Sequence, residues 1–412
     1  MSVIIVEPSS SGVALVEAAH RMGLTVFVFT ANQDDRKISA VCRSLATSVI
    51  VVDTNNSEAI FAAAQEINLN NDLQAIVPGF EYVVDVVATA AGRLGLPHLS
   101  QQTTTSVRNK FANRETLSAA GLDVPRYALV RNQLELERAA SEVRFPAVIK
   151  PVDGCGSLMV CRVDSLEELQ QAVDHFPNTM LDMGKHVGSQ FLLEEFLTGP
   201  EFSIEGYVDQ AQPYVVAITE KQLGAEPFFV EMGHVVEAAL PMSERTALIG
   251  YIERVVLAIG LEIGVFHAEA RMTERGPILI EIAARLGGDR IYRLVELTTG
   301  LSLPATMIRS YCGVKNPARI DPLHIQHAVA GVRFMAFETL GRFGAVEGLE
   351  QVRTMSGCEE VEIYFNAGDV IPPLIDFRGR VGHVLFTADD RATLDMRLIQ
   401  AESEIRLAPQ AA

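Results

Sequence analysis

The chain of 412 residues is 48% apolar and 21% charged, which is enough apolar material for about two to four domains with their own cores and excludes disorder as its main character. Its 34 basic and 52 acidic residues give a formal net charge of −18. Such a charge provides no overall basic field that would attract nucleic acid or an anionic membrane surface. We therefore expect neither as a partner.

No apolar run approaches the ~18–20 residues that a membrane span requires, and the first residues, Met1–Pro8, lack the basic start of a secretion signal. The five cysteines are scattered without metal-ligand spacing, which is typical of a reducing compartment. We expect a cytoplasmic protein without disulfides or structural zinc.

Residues 1–100 alternate short β-type runs with amphipathic stretches of helical length. The β-type runs are Val3–Val6, Thr25–Phe29, Ser48–Val52 and Gln74–Val77. This alternation predicts βαβ units on a doubly wound parallel sheet. The first turn, Ser9–Gly12, lacks the G-x-G-x-x-G pattern of dinucleotide-binding proteins, which disfavours a nicotinamide enzyme.

Beyond residue 100 the pattern changes. It predicts a helix over Ser106–Ala119 and then a strand, Phe145–Pro151, that carries Lys150 near its end. A glycine-containing loop follows, and Leu158–Val163 reads as a second strand, so the loop closes a hairpin and is not a P-loop. From about residue 326 a strand-rich tail ends in a predicted helix over Ala392–Glu404.

Two carboxylates are the first candidates for chemistry. Strands are predicted around Phe266–Met272 and Ile278–Ala283, joined by a three-residue loop in which Gly276 takes the left-handed conformation. This register places Glu269 directly opposite Glu281 on one face. Facing carboxylates on an apolar ladder repel each other unless a cation lies between them, and Mg²⁺ is the natural candidate. The alternative is an exposed face with solvated acids.

Two further segments have an ordinary structural reading beside the functional one. Arg285 precedes Gly287 and Gly288 at a predicted helix start, where a guanidinium and free backbone N–H groups suit an anion such as phosphate. The alternative is a capped helix with a surface arginine. The segment Leu193–Glu205 reads as strand, turn and strand, which by itself is an ordinary β-hairpin.

Five motifs in this order resemble the ATP-grasp superfamily of carboxylate–amine ligases. They are Asn109–Phe111, Val148–Pro151 with its glycine loop, Glu194–Glu201, His267–Glu269 and Ile280–Arg285. Within the superfamily the chain is most similar to dipeptide-forming L-amino-acid ligases, because of Pro78–Glu81 and Pro227–His234.

The resemblance implies an α/β architecture in three domains. These are an N-terminal doubly wound parallel-sheet domain at residues 1–100, an ATP-clamping domain of α+β type at 101–325, and a small C-terminal lid domain at 326–412. The clamping domain has a first lobe at about 101–190 and a second at about 191–325.

The resemblance also implies roles for individual residues. Those implied in ATP binding are Lys110, Lys150, Gly154, Gly156, Ser157, Glu194, Glu195, Phe196, Leu197 and Glu201. The two lysines would hold phosphates, Glu194 to Leu197 would read the adenine, and Glu201 would accept from ribose hydroxyls. Glu269 and Glu281 would bind Mg²⁺, with Mn²⁺ as a substitute. Ala283 stands where many members carry an asparagine, so the number of metal ions is open at this point.

Catalytic and substrate roles follow in the same way. Arg285, with His234 and His267, would neutralise the transferred phosphoryl group and the oxyanion formed when an amine attacks. The residues implied in substrate binding are Glu81, Glu231, His234, Arg285, Gly287 and Gly288. Glu81 would bind the ammonium group of an amino-acid donor, the alternative being an exposed loop acid, and both histidines have an alternative structural reading.

We therefore expect a ligase that uses ATP to join a carboxylate, such as an L-amino acid, to an amine, such as a second amino acid, through an acyl phosphate. A homodimer is the commonest oligomeric expectation. One alternative keeps the fold but uses a different carboxylate and amine, as in purine synthesis or antibiotic synthesis. The other is a regulatory protein that binds ATP without catalysis.

Overall fold

In this computed structural model the described residues are 1–33, 36–175, 180–226, 228–316, 328–336 and 341–410. The N-terminal part is a parallel sheet of four strands in the order β3–β2–β1–β4, with helices on both faces. Its elements are β1 (Ser2–Val6), α1 (Val13–Arg21), β2 (Thr25–Thr30), α2 (Ala40–Leu45), β3 (Ser48–Val51), α3 (Ser57–Asn70), β4 (Leu73–Pro78) and α4 (Val84–Arg93). The central strands are apolar because helices bury both of their faces, and the predicted doubly wound sheet is confirmed.

The first lobe contains an antiparallel sheet in the order β5–β10–β6–β7 and a separate two-stranded ribbon, β8–β9. Strand β10 (Phe191–Glu195) belongs to this sheet, although it lies just beyond the expected limit of the lobe at about residue 190. The elements of the first lobe are α5 (Gln101–Arg108), α6 (Lys110–Ala119), β5 (Tyr127–Val130), α7 (Leu136–Val143), β6 (Ala147–Pro151), β7 (Cys161–Val163), α8 (Leu166–His175), β8 (Met180–Asp182), β9 (Lys185–Val187) and β10 (Phe191–Glu195). β6 pairs with β7, which confirms the predicted hairpin, although its second strand is shorter than expected.

The predicted helix over Ser106–Ala119 is wrong because two helices meet at Asn109. This residue ends α5 in an extended conformation (φ −127°, ψ 109°). Its side-chain oxygen accepts a hydrogen bond of 3.0 Å from the Ala112 N–H and so caps α6. Asparagine favours such a cap over a position inside a helix, and the break places Lys110 at the first turn of α6.

The largest sheet has eight strands in the order β15–β14–β11–β12–β13–β16–β19–β18. The elements of the second lobe are β11 (Glu201–Asp209), β12 (Gln212–Leu223), β13 (Glu231–Val236), α9 (Met242–Ala258), β14 (Gly264–Thr273), β15 (Gly276–Ala283), α10 (Ile291–Thr299) and α11 (Leu303–Tyr311). Those of the tail are β16 (Val329–Ala336), β17 (Arg342–Glu347), α12 (Leu349–Arg353), β18 (Cys358–Ile363), β19 (Arg380–Ala388), α13 (Arg391–Glu404) and β20 (Arg406–Gln410). α13 starts one residue before the helix expected from the sequence.

The tail continues the sheet of the second lobe, because β13 pairs antiparallel with β16 and β16 with β19. This pairing brings β19 beside the central strands. The expected domain limit near residue 325 falls within 317–327, outside the described residues, and the three domain limits stay predictions.

The hairpin reading of Leu193–Glu205 is wrong. β10 already has β5 on one edge and β6 on the other, so no edge remains for β11, which pairs with β12 and β14 in the large sheet. The segment 196–200 therefore crosses from one sheet to the other. Gly199 is required there, because a Cβ on it would lie 2.0 Å from the Met272 carbonyl oxygen.

Apolar packing and polar contacts join the N-terminal sheet to the remainder. One buried cluster contains Val3 and Leu15 together with Met307 from α11 and Leu385 from β19. On the other side, the Tyr82 hydroxyl contacts the Asp182 carboxylate at 2.7 Å, at the tip of the β8–β9 ribbon. Among the described residues, none of the helices combines the length and apolarity that a membrane crossing requires.

We predict that Asn109→Ala lowers the free energy of unfolding by about 1 kcal/mol, because α6 loses the side-chain cap on its first turn. Urea unfolding measures the change. Asn56→Ala removes an equivalent cap from α3 and should cost a similar amount, whereas Asn109→Ser should recover most of the loss. Equal stability of Asn109→Ala and the wild type would show that the break at Asn109 does not depend on the cap.

Candidate active site

Two adjoining cavities lie between the two large antiparallel sheets and the N-terminal sheet. The narrow cavity, of about 110 Å³, is lined by β6, β10 and strands of the second lobe. The wide cavity, of about 550 Å³, is lined by N-terminal turns, second-lobe strands and the tail. The residues that line both are Cys155, Ser157, Leu158, Glu231, Glu269 and Glu281. Any reaction between molecules in the two cavities would therefore take place beside three carboxylates.

Glu269 on β14 lies directly opposite Glu281 on β15, as the sequence predicted. The loop, however, is one residue shorter than expected, because Thr273 pairs with Gly276. A register shift between Glu269 and Ala270 compensates for the missing residue. The bulge therefore restores the pairing of the two carboxylates, which a regular two-residue hairpin would have separated.

Two lysines from distant parts of the chain neutralise these carboxylates. The Lys110 ammonium at the start of α6 lies 3.1 Å from Glu281 Oε1. The Lys221 ammonium on β12 is almost completely buried and lies 3.0 Å from Glu269 Oε2, 2.8 Å from Glu201 Oε1 and 3.4 Å from Glu231 Oε1. Lys221 is thus the common counter-ion of three glutamates. Lys221 is not among the residues expected from the sequence, although the chain has only six lysines.

This arrangement separates the pKa values of the neighbouring groups. Burial alone would lower the pKa of Lys221, but the three carboxylates hold it well above its usual value. Burial likewise opposes ionisation of Glu269, yet Lys221 and His267 hold the pKa of its carboxyl below the usual range. For Glu231, burial dominates over the attraction of Lys221 and raises the pKa. The site therefore contains one carboxyl with a lowered pKa, that of Glu269, and one with a raised pKa, that of Glu231, which retains its proton more readily.

A second buried ion-pair network lies at the wall of the narrow cavity, which Lys150 and Glu194 line. Arg114 Nε donates to Glu194 Oε1 at 2.6 Å, and Lys150 forms an ion pair with the other oxygen of Glu194. Burial raises and the two cations lower the pKa of Glu194, with the net shift downward. Arg114 also donates to the Ile280 carbonyl oxygen at 2.6 Å. The network thus joins the first-lobe sheet to β15, next to Glu281.

Two basic side chains hold the glycine-containing loop after β6 through its backbone carbonyl oxygens. Lys110 Nζ donates to the Gly154 carbonyl oxygen at 2.7 Å, and Arg108 donates to the Asp153 carbonyl oxygen at 3.1 Å. Gly156 has φ +64°, and a Cβ on it would lie 3.0 Å from the Phe377 ring of the tail. The loop can therefore approach both cavities closely and touches the tail at its tip.

Aromatic and basic side chains close the other end of the narrow cavity. Phe196 and Phe229 stack with ring centroids 6.1 Å apart, and the Arg271 guanidinium lies 5.2 Å from the Phe196 centroid. Arg271 Nε also donates to Glu201 Oε2 at 3.0 Å. This wall offers flat apolar and cationic faces to a planar ring, with Glu201 at its edge.

Arg285 has a partner in the N-terminal part of the chain. Its Nε donates to Glu81 Oε2 at 2.5 Å, and Arg108 Nη1 donates to Glu81 Oε1 at 2.9 Å. Glu81 is fully buried, so it is not an exposed loop acid, and both arginines lower the pKa of its carboxyl against the effect of burial. Glu81 lines neither cavity, whereas Arg285 lines the wide one.

Both candidate histidines are buried and paired with carboxylates. His267 lies 2.6 Å from Glu205 and 3.2 Å from Glu269, and these partners outweigh burial and raise its pKa to about 10. His234 Nε2 lies 3.1 Å from Asp289 Oδ2. His267 is therefore an imidazolium at neutral pH, and its Nε2 donates a hydrogen bond to Glu269 Oε1.

The remaining predicted residues also have clear positions. Gly288 lines the wide cavity, whereas Gly287 lines neither and is needed because a Cβ on it would lie 2.9 Å from His267 Nδ1. Pro227, part of one predicted motif, lies outside the described residues.

The site residues that sequence reasoning missed are Arg108, Arg114, Lys221, Arg271, Asp289 and Arg380. The scarcity of lysine was a signal for Lys221, and no local pattern marked the others.

Models of three domain families match the chain. The ATP-grasp N-terminal domain matches residues 16–98, the ATP-grasp domain matches 143–293, and the L-amino acid ligase C-terminal domain 2 matches 333–408. The chain is 25% identical over 367 residues to dapdiamide A synthase of Enterobacter agglomerans, covering 85% of this chain and 82% of that protein. It is 26% identical over 406 residues to an uncharacterized protein of Sinorhizobium fredii, with 98% and 82% covered.

Solved structures show the same fold. The L-amino acid ligase of Bacillus licheniformis superposes with a TM-score of 0.85 at 24% identity, covering 100% of this chain and 99% of the other. The ATP-grasp N-terminal domain and ATP-grasp domain models together match more than half of the chain, and the superposition shows the same fold over its whole length. The chain belongs to the ATP-grasp superfamily of carboxylate–amine ligases and is an ATP-dependent carbon–nitrogen ligase.

Proposed function

We propose that the protein transfers the γ-phosphoryl group of ATP to the carboxylate of an amino acid and lets an amine, such as that of a second amino acid, displace phosphate to form an amide. The observation that carries this proposal is the junction of the two cavities at Glu231, Glu269 and Glu281, with Arg285 beside it. A dapdiamide synthase and an L-amino acid ligase among the similar proteins support amino acids as substrates.

ATP would occupy the narrow cavity. Its adenine would lie against Phe196, with backbone groups of Glu194 and Leu197 at its edge, and Glu201 would accept from the ribose. Lys110 and Lys150 would contact the phosphates, beneath the loop that contains Gly154, Gly156 and Ser157. The two lysines are now paired with Glu281 and Glu194, so each can exchange part of its ion pair for a phosphate oxygen.

Glu269 and Glu281 fit a magnesium site, because two hard oxygen donors face each other and each already attracts a lysine ammonium. They would hold Mg²⁺, or Mn²⁺ as a substitute. The bound ion supplies neutralisation of phosphate charge. Lys221 remains the permanent counter-ion of Glu269, and the imidazolium of His267 orients that carboxylate from its other side.

Arg285 would stabilise the negative charge that develops on the transferred phosphoryl group and on the oxyanion. Glu81 and Arg108 orient its guanidinium, because a single buried carboxylate joins the two arginines. This differs from the expectation that Glu81 binds a substrate ammonium, since Glu81 is fully buried and lines neither cavity. Glu231, which lines both cavities, suits that ammonium better.

The alternative of an ATP-binding regulatory protein is less well supported. Binding of ATP alone does not require an arginine in the wide cavity that is oriented by a buried carboxylate 204 positions away. A ligase requires such a group where charge develops in the transition state.

The direct test combines the protein with Mg-ATP and pairs of amino acids and measures phosphate release and amide mass. A donor labelled with ¹⁸O in its carboxylate should transfer one labelled oxygen to the released phosphate, because the acyl phosphate carries that oxygen. Amide formed together with unlabelled phosphate would contradict the acyl-phosphate route. Absence of amide with every pair, while ATP is still bound, would favour the regulatory alternative.

We predict that Glu281→Ala abolishes amide formation without unfolding the protein, because the variant loses one of the two facing carboxylates that would bind the metal. Circular dichroism and the phosphate-release assay measure both effects. Glu262→Ala, an exposed glutamate just before β14, is the matched control and should retain full activity. Undiminished phosphate release by Glu281→Ala would remove this residue from the metal site.

Arg285→Lys should leave the affinity for ATP nearly unchanged while amide formation falls by roughly 10²–10³-fold, because the planar two-pronged donor is lost. Calorimetry with ATP and steady-state kinetics separate the two quantities. Arg275→Lys, in the exposed turn between β14 and β15, is the control. A fall in ATP affinity as large as the fall in rate would place Arg285 in nucleotide binding instead.

Lys221→Met should lower the free energy of unfolding by about 3–5 kcal/mol, because Glu201, Glu231 and Glu269 lose their common buried counter-ion. Adding Glu231→Leu should recover part of this loss, since one uncompensated carboxylate is removed with it. Urea unfolding of the single and double variants measures both. A double variant less stable than Lys221→Met would contradict the shared counter-ion.

A further inference from the structure

An ion pair between the buried Arg380 of the tail and the half-buried Asp289 lies on the wall of the wide cavity, next to the backbone of Glu231 at the junction. Arg380 on β19 donates from both terminal nitrogens to the two carboxylate oxygens of Asp289, each at 2.7 Å. Arg380 also donates to backbone oxygens of Glu231 and Phe377, and its guanidinium lies 3.9 Å from the Phe334 ring centroid. The pair is therefore held in place by several contacts, and both residues line the cavity.

The presence of an ion pair on this cavity wall is not explained by stability. Removing two charges from water is costly, and well-packed apolar side chains of similar size are often at least as stable. Asp289 also has a positive φ of 53°, a conformation that non-glycine residues rarely adopt. A contribution to stability is thus a weak explanation for the Asp289–Arg380 pair on the wall of the wide cavity.

The two partners differ in what they still offer to a ligand. The Arg380 side chain is only 6% exposed, whereas that of Asp289 is 21% exposed. Asp289 Oδ2 accepts from Arg380 and lies 3.1 Å from His234, but Oδ1 accepts only from Arg380 among the described residues. A carboxylate oxygen has more than one acceptor site, so Asp289 can receive a further hydrogen bond from inside the cavity.

We infer that Asp289, held in position by Arg380, recognises a nitrogen hydrogen-bond donor of the amino-acid substrate and is a specificity-determining residue. The inference rests on the proposed function, because it takes the wide cavity as the amino-acid site. The donor is either the α-ammonium or an amide or ammonium group on the side chain. A substrate that places a methyl group or a carboxylate at this point leaves the Asp289 oxygen unpaired or repelled, and is rejected.

The experiment measures the dissociation constants of matched ligands by calorimetry in the presence of Mg-ADP, so that binding is read without turnover. Asparagine, leucine and aspartate have side chains of nearly equal shape, and only asparagine offers a side-chain N–H. Alanine and propanoate differ in the α-ammonium. Wild-type protein should prefer the N–H member of at least one set by about 10–10²-fold. Because Glu231 is also assigned to a substrate ammonium, the set whose preference disappears when Asp289 is replaced identifies which nitrogen Asp289 binds.

The informative variant replaces the ion pair as a whole, with Asp289→Leu and Arg380→Met together, because loss of one partner would leave the other charge buried. This pair variant should lose the preference of the wild type. The control pair variant combines Glu220→Leu with Arg391→Met. That ion pair also joins the tail to the large sheet, with distances of 2.7 and 3.0 Å, but it lines neither cavity. It should keep the preference.

A preference retained by the pair variant overturns the inference, and so does wild-type protein that binds all members of both sets equally. If the pair variant does not fold by circular dichroism, Asp289→Asn decides in its place. Asp289→Asn keeps the shape of the side chain but loses its charge. If this variant keeps the preference of the wild type, the inference is overturned. Selective binding without amide formation in the activity assay would contradict the proposed function alone, whereas amide formation without selectivity would contradict this inference alone.

Discussion

Compensation of buried negative charge is the constraint on which the site depends. Glu269 and Glu281 face each other across one strand pair, and no element of that hairpin supplies the ammonium groups that neutralise them. Lys110 comes from the start of α6 and Lys221 from β12, so the carboxylates become tolerable only once the first lobe and the large sheet have assembled. Against the effect of burial, Lys221 and His267 hold the pKa of the Glu269 carboxyl below its usual range, so this carboxylate suits a hard cation.

The connection 196–200 explains why the cleft exists. Because both edges of β10 are occupied, the chain must leave one sheet and enter another, and the space between the two sheets becomes the narrow cavity. The Arg114–Glu194 pair lies beside this cavity and contacts β15 through the Ile280 carbonyl. The lobes are thus joined by an ion-pair network beside the narrow cavity.

The wide cavity is assembled from three parts of the chain, and this division corresponds to a division of chemistry. The N-terminal part supplies Glu81, which accepts a hydrogen bond from Arg285 on the cavity wall. The tail supplies Arg380, which holds Asp289 on the wall of the same cavity. Because β16 and β19 extend the large sheet, the tail contributes to the cavity through regular strand pairing and not through a loose contact. The charge stabilisation proposed for Arg285 and the substrate selection proposed for Asp289 therefore depend on contacts from different parts of the chain.

The sequence by itself determined the features that arise within a few residues of one another. The parallel N-terminal sheet, the β6–β7 hairpin and the facing pair of Glu269 and Glu281 follow from apolar periodicity and turn chemistry, which act locally. Three local expectations were wrong. Asn109 caps a helix instead of continuing it, a bulge replaces a loop residue beside Glu269, and Leu193–Glu205 does not form a hairpin. Only the tertiary structure decided the partners of Arg285 and Asp289, which lie 204 and 91 positions away. Such pairs leave no periodic pattern, since their contact depends on how sheets pack and not on spacing along the chain.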